Sequence, residues 1–262
     1  MNGGWWQRGW RYFLEALFPA ECLLCRQKTE AVDQLCLPCM TTLPASPDCY
    51  CLRCGQRTAH VSQGCGHCLA EPEQHADATY FAFSYDDPIA SWLIGLKFAD
   101  RPEWARTLGW LLWQRLGNSL QWETPALVLP VPLHPLRLLR RRYNQSALLA
   151  ATVARRLHVP LQTRALRRIK RTKPQTRLSA VERAVNLRDA FRVESALVAG
   201  KDLLLLDDVY TTGATMQSAV RALKQAGAGR VVVVCLAVVQ RELTGAPAGS
   251  VDYSILTDSR SW

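Results

Sequence analysis

Two acidic side chains stand together at Asp207 and Asp208, after four leucines and before a loop of small and hydroxylated residues; Leu203–Thr215 reads LLLLDDVYTTGAT. An apolar run of this kind is a buried parallel strand, and it delivers both carboxylates at its carboxyl end. Beyond the loop Met216, Ala219, Val220 and Leu223 recur at i, i+3, i+4 and i+7, so a helix begins there. The unpaired N–H groups of a helix N-terminus and its dipole draw an anion to such a loop. Adjacent carboxylates suit sugar hydroxyls, or a metal ion that touches them. A ribose beside a phosphate is the ligand this stretch asks for.

A second chemistry lies in the cysteines. Eight of the ten form four C-x-x-C units: Cys22 with Cys25, Cys36 with Cys39, Cys51 with Cys54, and Cys65 with Cys68. Each unit aims two thiolates at one point, and two units close a tetrahedral shell of sulfurs around a zinc ion. Two structural zinc ions are expected, because four thiolates leave no open position for water. A disulfide framework needs an oxidising compartment, and the arginines among the aromatics of MNGGWWQRGWRYFLEALFP do not make a signal peptide. Cys49 is a spare thiol, His60 or His67 could replace a cysteine in the second site, and Cys235 reads as a small core residue.

The third feature is charge. Between His134 and Arg188 there are fifteen Lys and Arg against one acid, Glu182, in a chain whose net charge is +10. The rest is therefore net negative, and a block so basic implies a polyanionic ligand. Arg140, Arg141 and Arg142, followed by Asn144 and Gln145, place forked donors and amides at the entry of a helix; guanidinium forks match phosphate oxygens. Arg168, Arg171 and Lys173 belong to a second basic run. Residues 167–189 read as a loop or hairpin arm able to close over a pyrophosphate or clamp a nucleic-acid backbone.

These groups need elements to hold them. Residues 1–20 read as an amphipathic helix, 21–70 as the cysteine module, 77–240 as the main domain and 241–262 as a tail, with an acidic connector at 70–77. In the main domain, strands are expected at 78–85, 126–129, around 161–166, at 190–193, from 203 and at 230–239. Helices are expected from Pro88, over 102–116, over 145–157 and after Thr215. Pro130–Pro135, PVPLHP, forms a stiff loop after a strand, a second anion-site geometry. Trp92, Trp104, Trp110, Trp113 and Trp122 are assigned mainly to packing. No apolar run approaches the ~18 residues that span a bilayer, so the expected location is cytoplasmic.

The stretch Asp207-Asp208-Val209-Tyr210-Thr211-Thr212-Gly213-Ala214-Thr215 resembles the phosphoribosyl-pyrophosphate (PRPP) loop of type I phosphoribosyltransferases. The order of paired cysteines, VPVPLHPLRLLRRRYNQSALLA, RTKPQTRLSAVERAVNLRDAF and DDVYTTGAT resembles the ComF family of phosphoribosyltransferase-like competence proteins, GntX-type members included. The resemblance implies an α/β fold, a type I phosphoribosyltransferase-like parallel sheet flanked by helices, with a small N-terminal zinc-ribbon module. It implies that Asp207 and Asp208 hold the ribose with magnesium, and would be the catalytic pair of an enzyme. Tyr210, Thr211, Thr212, Gly213, Ala214 and Thr215 would surround the 5′-phosphate, and Val131, Pro132 and Leu133 the pyrophosphate.

The expected partners are PRPP or a related ribose-phosphate, single-stranded DNA and proteins of the DNA-uptake machinery, in a role in natural competence and the use of external DNA. An active phosphoribosyltransferase of nucleotide metabolism and a PRPP- or nucleotide-sensing regulator are the alternatives. The chain departs from the family in a GFNQ-like run, where Tyr143 replaces phenylalanine and Arg142 replaces glycine. The second change matters if that position needs positive φ.

Overall fold

Val231–Val238, VVVVCLAV, is apolar without interruption, and such a strand is stable only when both faces are covered. All eight residues are buried, at the interior of a four-stranded parallel sheet. In chain order the strands are β1 (Ala78–Ser84), β2 (Leu127–Pro130), β3 (Leu166–Arg168), β4 (Phe191–Val193), β5 (Leu203–Tyr210) and β6 (Val231–Val238). The sheet order is β1-β6-β5-β2, and β3 pairs with β4 in a separate antiparallel hairpin. The computed structural model describes residues 20–29, 34–46, 49–59, 62–70, 75–170 and 190–239, apart from the side chains at 67 and 122. The expected N-terminal helix, the arm beyond residue 170, His60, the His67 side chain and the tail from 241 lie outside that description.

The helices are α1 (Leu37–Thr41), α2 (Gly66–Ala70), α3 (Ile89–Phe98), α4 (Trp104–Glu123), α5 (Pro135–Arg141), α6 (Gln145–Leu157), α7 (Ser195–Val198) and α8 (Ala214–Gln225). The α8 residues Met216, Ala219, Val220 and Leu223 are buried against Leu203, Leu205, Val231 and Val233, as their spacing requires. Helix α4 runs past the expected end at 116 to Glu123, because Leu116 and Leu120 continue its buried face. Residues 161–166 form no strand of their own. Leu161 makes one bridge to Val128, and the strand proper is β3. The stiff loop after β2 is shorter than expected, since α5 begins at Pro135 with the His134 ring capping it.

The chain divides into two units, Met1–Leu43 and Pro44–Trp262. The division does not fall at the acidic connector, and the second pair of C-x-x-C units lies in the same unit as the sheet. Three hydrogen bonds show why. Thr79 on β1 donates to the Arg53 carbonyl at 2.7 Å, the Arg53 guanidinium donates to the Ala76 carbonyl at 3.3 Å, and the Tyr210 hydroxyl at the end of β5 donates to the Cys54 carbonyl.

Candidate functional site

Strand β5 carries its apolar residues Leu203–Leu206 through the core and emerges at Asp207 and Asp208. Asp207 accepts a 2.6 Å bond from the Ser146 hydroxyl in the first turn of α6 and a 2.9 Å bond from the Asp208 N–H. Asp208 accepts the Val209 N–H at 2.8 Å and pairs with Lys97 at 2.8 Å; the side-chain exposures of Lys97 and Asp208 are 9% and 8%.

Burial and the neighbouring Asp208 charge push the Asp207 carboxyl up to about 7. Burial works against ionised Asp208 as well, but the charges of Lys97, foremost, and of Arg141 together outweigh it and hold that carboxyl below its ordinary range. These cations thus sort the two acids: Asp208 is the fixed anion, and Asp207 changes its proton near neutrality.

Lys97 carries no site role in the sequence reading. Its signal is there in retrospect, as the one charged residue in α3, IASWLIGLKF. Tyr143 anchors the same turn, its hydroxyl donating to the Leu96 carbonyl at 2.5 Å, a bond that the family's phenylalanine cannot make. Ser146 had no signal at all; only the packing of α6 against β5 brings it to Asp207.

The loop Thr211–Gly213 turns into α8 through Gly213 at φ +75°. A Cβ at Gly213 would stand 2.6 Å from Tyr210 Cζ, so this position excludes any side chain. The N–H groups of Ala214, Thr215 and Met216 lie in the first turn of α8, where no intrahelical acceptor precedes them. Thr211 is exposed; Thr212, Ala214 and Thr215 are half-buried. Tyr210 is buried; its ring lies against Phe81, with centroids 5.0 Å apart, and behind Gly213, and its hydroxyl bonds to the Cys54 carbonyl.

On the other side of β5, Val131 is buried with both backbone groups engaged. Its N–H bonds to the Leu206 carbonyl at 2.8 Å, and its carbonyl accepts the Asn144 amide at 3.0 Å. Pro132 and Leu133 are half-buried. Asn144 also caps α6 by accepting the Ser146 N–H at 3.1 Å, so both ends of its amide hold this corner together.

Arg141 lies over the Phe98 ring at 5.0 Å and senses Asp208; Arg168 lies 5.7 Å over the Phe191 ring and senses Asp207. Burial lowers both guanidinium pKa values. Arg140 is exposed on α5, and Arg171 and Lys173 fall outside the described residues. Arg142 has φ +65° and pairs with Asp100 at 3.3 Å. The position that the family fills with glycine is therefore left-handed here, and an arginine occupies it.

The cysteines assemble as two clusters, Cys22, Cys25, Cys36 and Cys39, and Cys51, Cys54, Cys65 and Cys68, the sulfurs of each within 4.8 Å of one another. Four ligands ~2.3 Å from a tetrahedral centre stand ~3.8 Å apart. The second cluster has Cys51–Cys68 at 3.8 Å and both Cys54–Cys65 and Cys65–Cys68 at 3.7 Å; the first has Cys25–Cys36 at 3.5 Å. Burial raises Cys51, yet N–H groups at Cys54, Cys65 and Arg53 bring it down to about 7, whereas burial drives Cys54 up to about 12. Thiols this close ionise together only around a cation. Both clusters fit a zinc ribbon, and Cys49 and Cys235 stand outside them.

Comparison with known proteins agrees with this geometry. The phosphoribosyl transferase domain model matches residues 144–259, and the double zinc ribbon domain model matches 13–69. Competence protein F of Haemophilus influenzae is 32% identical over 226 residues, 84% of this chain and 97% of that protein. The chain belongs to the ComF family of phosphoribosyltransferase-like proteins. Another member, DNA utilization protein YhgH of Shigella flexneri, is 35% identical over 172 residues, 64% of this chain and 75% of that protein. Competence protein ComFC of Bacillus subtilis is 34% identical over 101 residues, 38% and 39% of the two chains. The phosphoribosyl transferase match runs on through 241–259, residues that the sequence alone read as a tail. Among the described residues no helix is long and apolar enough to cross a membrane.

Proposed function

We propose that this ComF-family chain binds PRPP or a related ribose-phosphate at Asp207, Asp208 and Thr211–Thr215, and serves DNA uptake and the use of external DNA from the cytoplasm. The observation that carries the reading is the joint presentation, at one end of β5, of a partly buried carboxylate pair and the first turn of α8. The carboxylates suit ribose hydroxyls, and the α8 N–H groups suit a 5′-phosphate. Asp207 is the carboxylate offered to magnesium or ribose, because Asp208 is held by Lys97. Magnesium would supply charge neutralisation for the pyrophosphate. The DNA role is supported by relatives named for competence and DNA utilization. Arg140, Arg141, Arg142 and Arg168 supply the basic surface for single-stranded DNA. Proteins of the uptake machinery are the remaining class of partner.

Calorimetry with PRPP and magnesium tests the ligand. Asp207→Ala should abolish binding, and undiminished affinity would overturn the assignment. For the DNA role, anisotropy with a labelled single strand should show affinity falling steeply with salt, and Arg140→Gln with Arg141→Gln should flatten that slope. A slope unchanged by these substitutions would exclude this face as the DNA contact.

A further inference from the structure

The second cysteine cluster and the phosphate loop meet on one ring. Tyr210 is the last residue of β5, directly before Thr211, and its hydroxyl donates to the carbonyl of Cys54, itself one of the four sulfur ligands. Gly55, next to Cys54, has φ +70°, and a Cβ there would stand 2.6 Å from Phe81 Cζ and 3.2 Å from Tyr210 Cζ. From the loop side, a Cβ on Gly213 would stand 2.6 Å from that same Tyr210 carbon and closer still to the hydroxyl. The ring is thus clasped between two glycines, one from the cysteine knuckle and one from the turn that opens α8. Phe81 completes the seat at 5.0 Å, with Tyr50, a bridge residue directly before Cys51, 4.9 Å from Phe81. A side chain at Gly213 would displace the ring, and one at Gly55 would press first on Phe81 and then on the ring.

We infer that Tyr210 is a positioning residue that transmits the state of the second four-cysteine cluster to the phosphate loop. An ion held by Cys51, Cys54, Cys65 and Cys68 fixes the Cys54 carbonyl. That carbonyl fixes the Tyr210 hydroxyl, and the ring fixes the left-handed turn at Gly213 from which the α8 N–H groups project. Loss of this ion then loosens the loop while leaving the sheet in place, because Leu203–Leu206 and β6 are held by their own ladder. The consequence for ligand affinity rests on the ribose-phosphate reading above; the coupling itself does not.

The test uses the full chain and two readouts. Hydrogen exchange is followed at 211–215 and, as an internal reference, at 203–209. It is compared in wild type, in Tyr210→Phe, in Cys51→Ser with Cys54→Ser, and in Cys22→Ser with Cys25→Ser. Tyr210→Phe should keep its full zinc content and its exchange at 203–209, yet exchange faster at 211–215. Loss of the second ion should do the same more strongly, and loss of the first should not. Equal exchange at 211–215 in Tyr210→Phe and wild type overturns the coupling, as does an effect of the first-cluster change equal to that of the second.

Because Tyr210→Phe removes a single oxygen, it keeps the question open to test even if the cysteine variants do not fold. PRPP affinity is read in parallel and should weaken about tenfold in Tyr210→Phe, the effect of one buried hydrogen bond. Wild type that fails to bind PRPP would remove the ligand assignment, while the exchange data would still decide the coupling.

Discussion

Replacing Asp207 by asparagine should make the protein more stable at pH 8. The substitution keeps an oxygen to accept from Ser146, now 2.6 Å away, and from the Asp208 N–H at 2.9 Å; only the charge is lost. That charge is unfavourable in the folded state, since burial and Asp208 raise the Asp207 carboxyl from 3.8 to about 7. A folded-state rise means the native protein binds more protons than the unfolded chain between those values, so this group's contribution becomes less favourable as pH climbs from 4 to 7. A rise of about three pH units at about 1.4 kcal/mol each sets a ceiling of about 4 kcal/mol at pH 8. Relaxation and partial solvation reduce the expected gain to about 1–3 kcal/mol. Urea unfolding of wild type and Asp207→Asn at pH 8 and pH 5 measures it. The gain should fall by more than half at pH 5, where the folded wild type already carries the proton. A variant less stable than wild type at pH 8, or a gain equal at both pH values, would refute the reasoning. The same substitution should cost PRPP affinity, a site that holds function at the expense of stability.

Removing the other partner acts in the opposite sense. Lys97→Met leaves Asp208 buried without its cation and should lower stability by about 3–5 kcal/mol at pH 8, less at pH 5, in the same urea assay. At the left-handed position 142, Arg142→Gly should be more stable than Arg142→Ala by about 1 kcal/mol, because both lose the Asp100 pair but only alanine keeps a Cβ at φ +65°. A thermal melt that ranks them the other way would exclude strain there. Metal analysis of freshly purified protein should find about two zinc ions per chain, and chelation should destabilise it; folded, metal-free protein would defeat the zinc assignment.

Patterns of residue type carry the parts of the molecule that are locally encoded. The α8 residues Met216, Ala219, Val220 and Leu223 are buried as their spacing demands, and Gln145–Leu157 begins and ends as helix α6 where it was expected. The eight cysteines cluster as their C-x-x-C spacing predicts, because each turn brings its own two sulfurs together. Helix α5 was less legible: His134 and Pro135 supply its start, but every residue between Pro135 and Arg140 is exposed, so no buried stripe marked it.

What tertiary structure alone decided is which of these local pieces share a charge or a ring. The sequence by itself determined a buried strand that carries two acids toward its carboxyl end, a turn that needs glycine and two sulfur shells. It could not assign unequal roles to Asp207 and Asp208, because the difference comes foremost from Lys97, more than a hundred residues away, and ion pairing inside a protein depends on distance through a low-dielectric interior. Nor could it place the second cluster in the same unit as the sheet. Tyr210 reads locally as one residue of the phosphate-binding loop; only the folded chain turns its ring toward Cys54 and Gly55, where its buried hydroxyl donates to the Cys54 carbonyl.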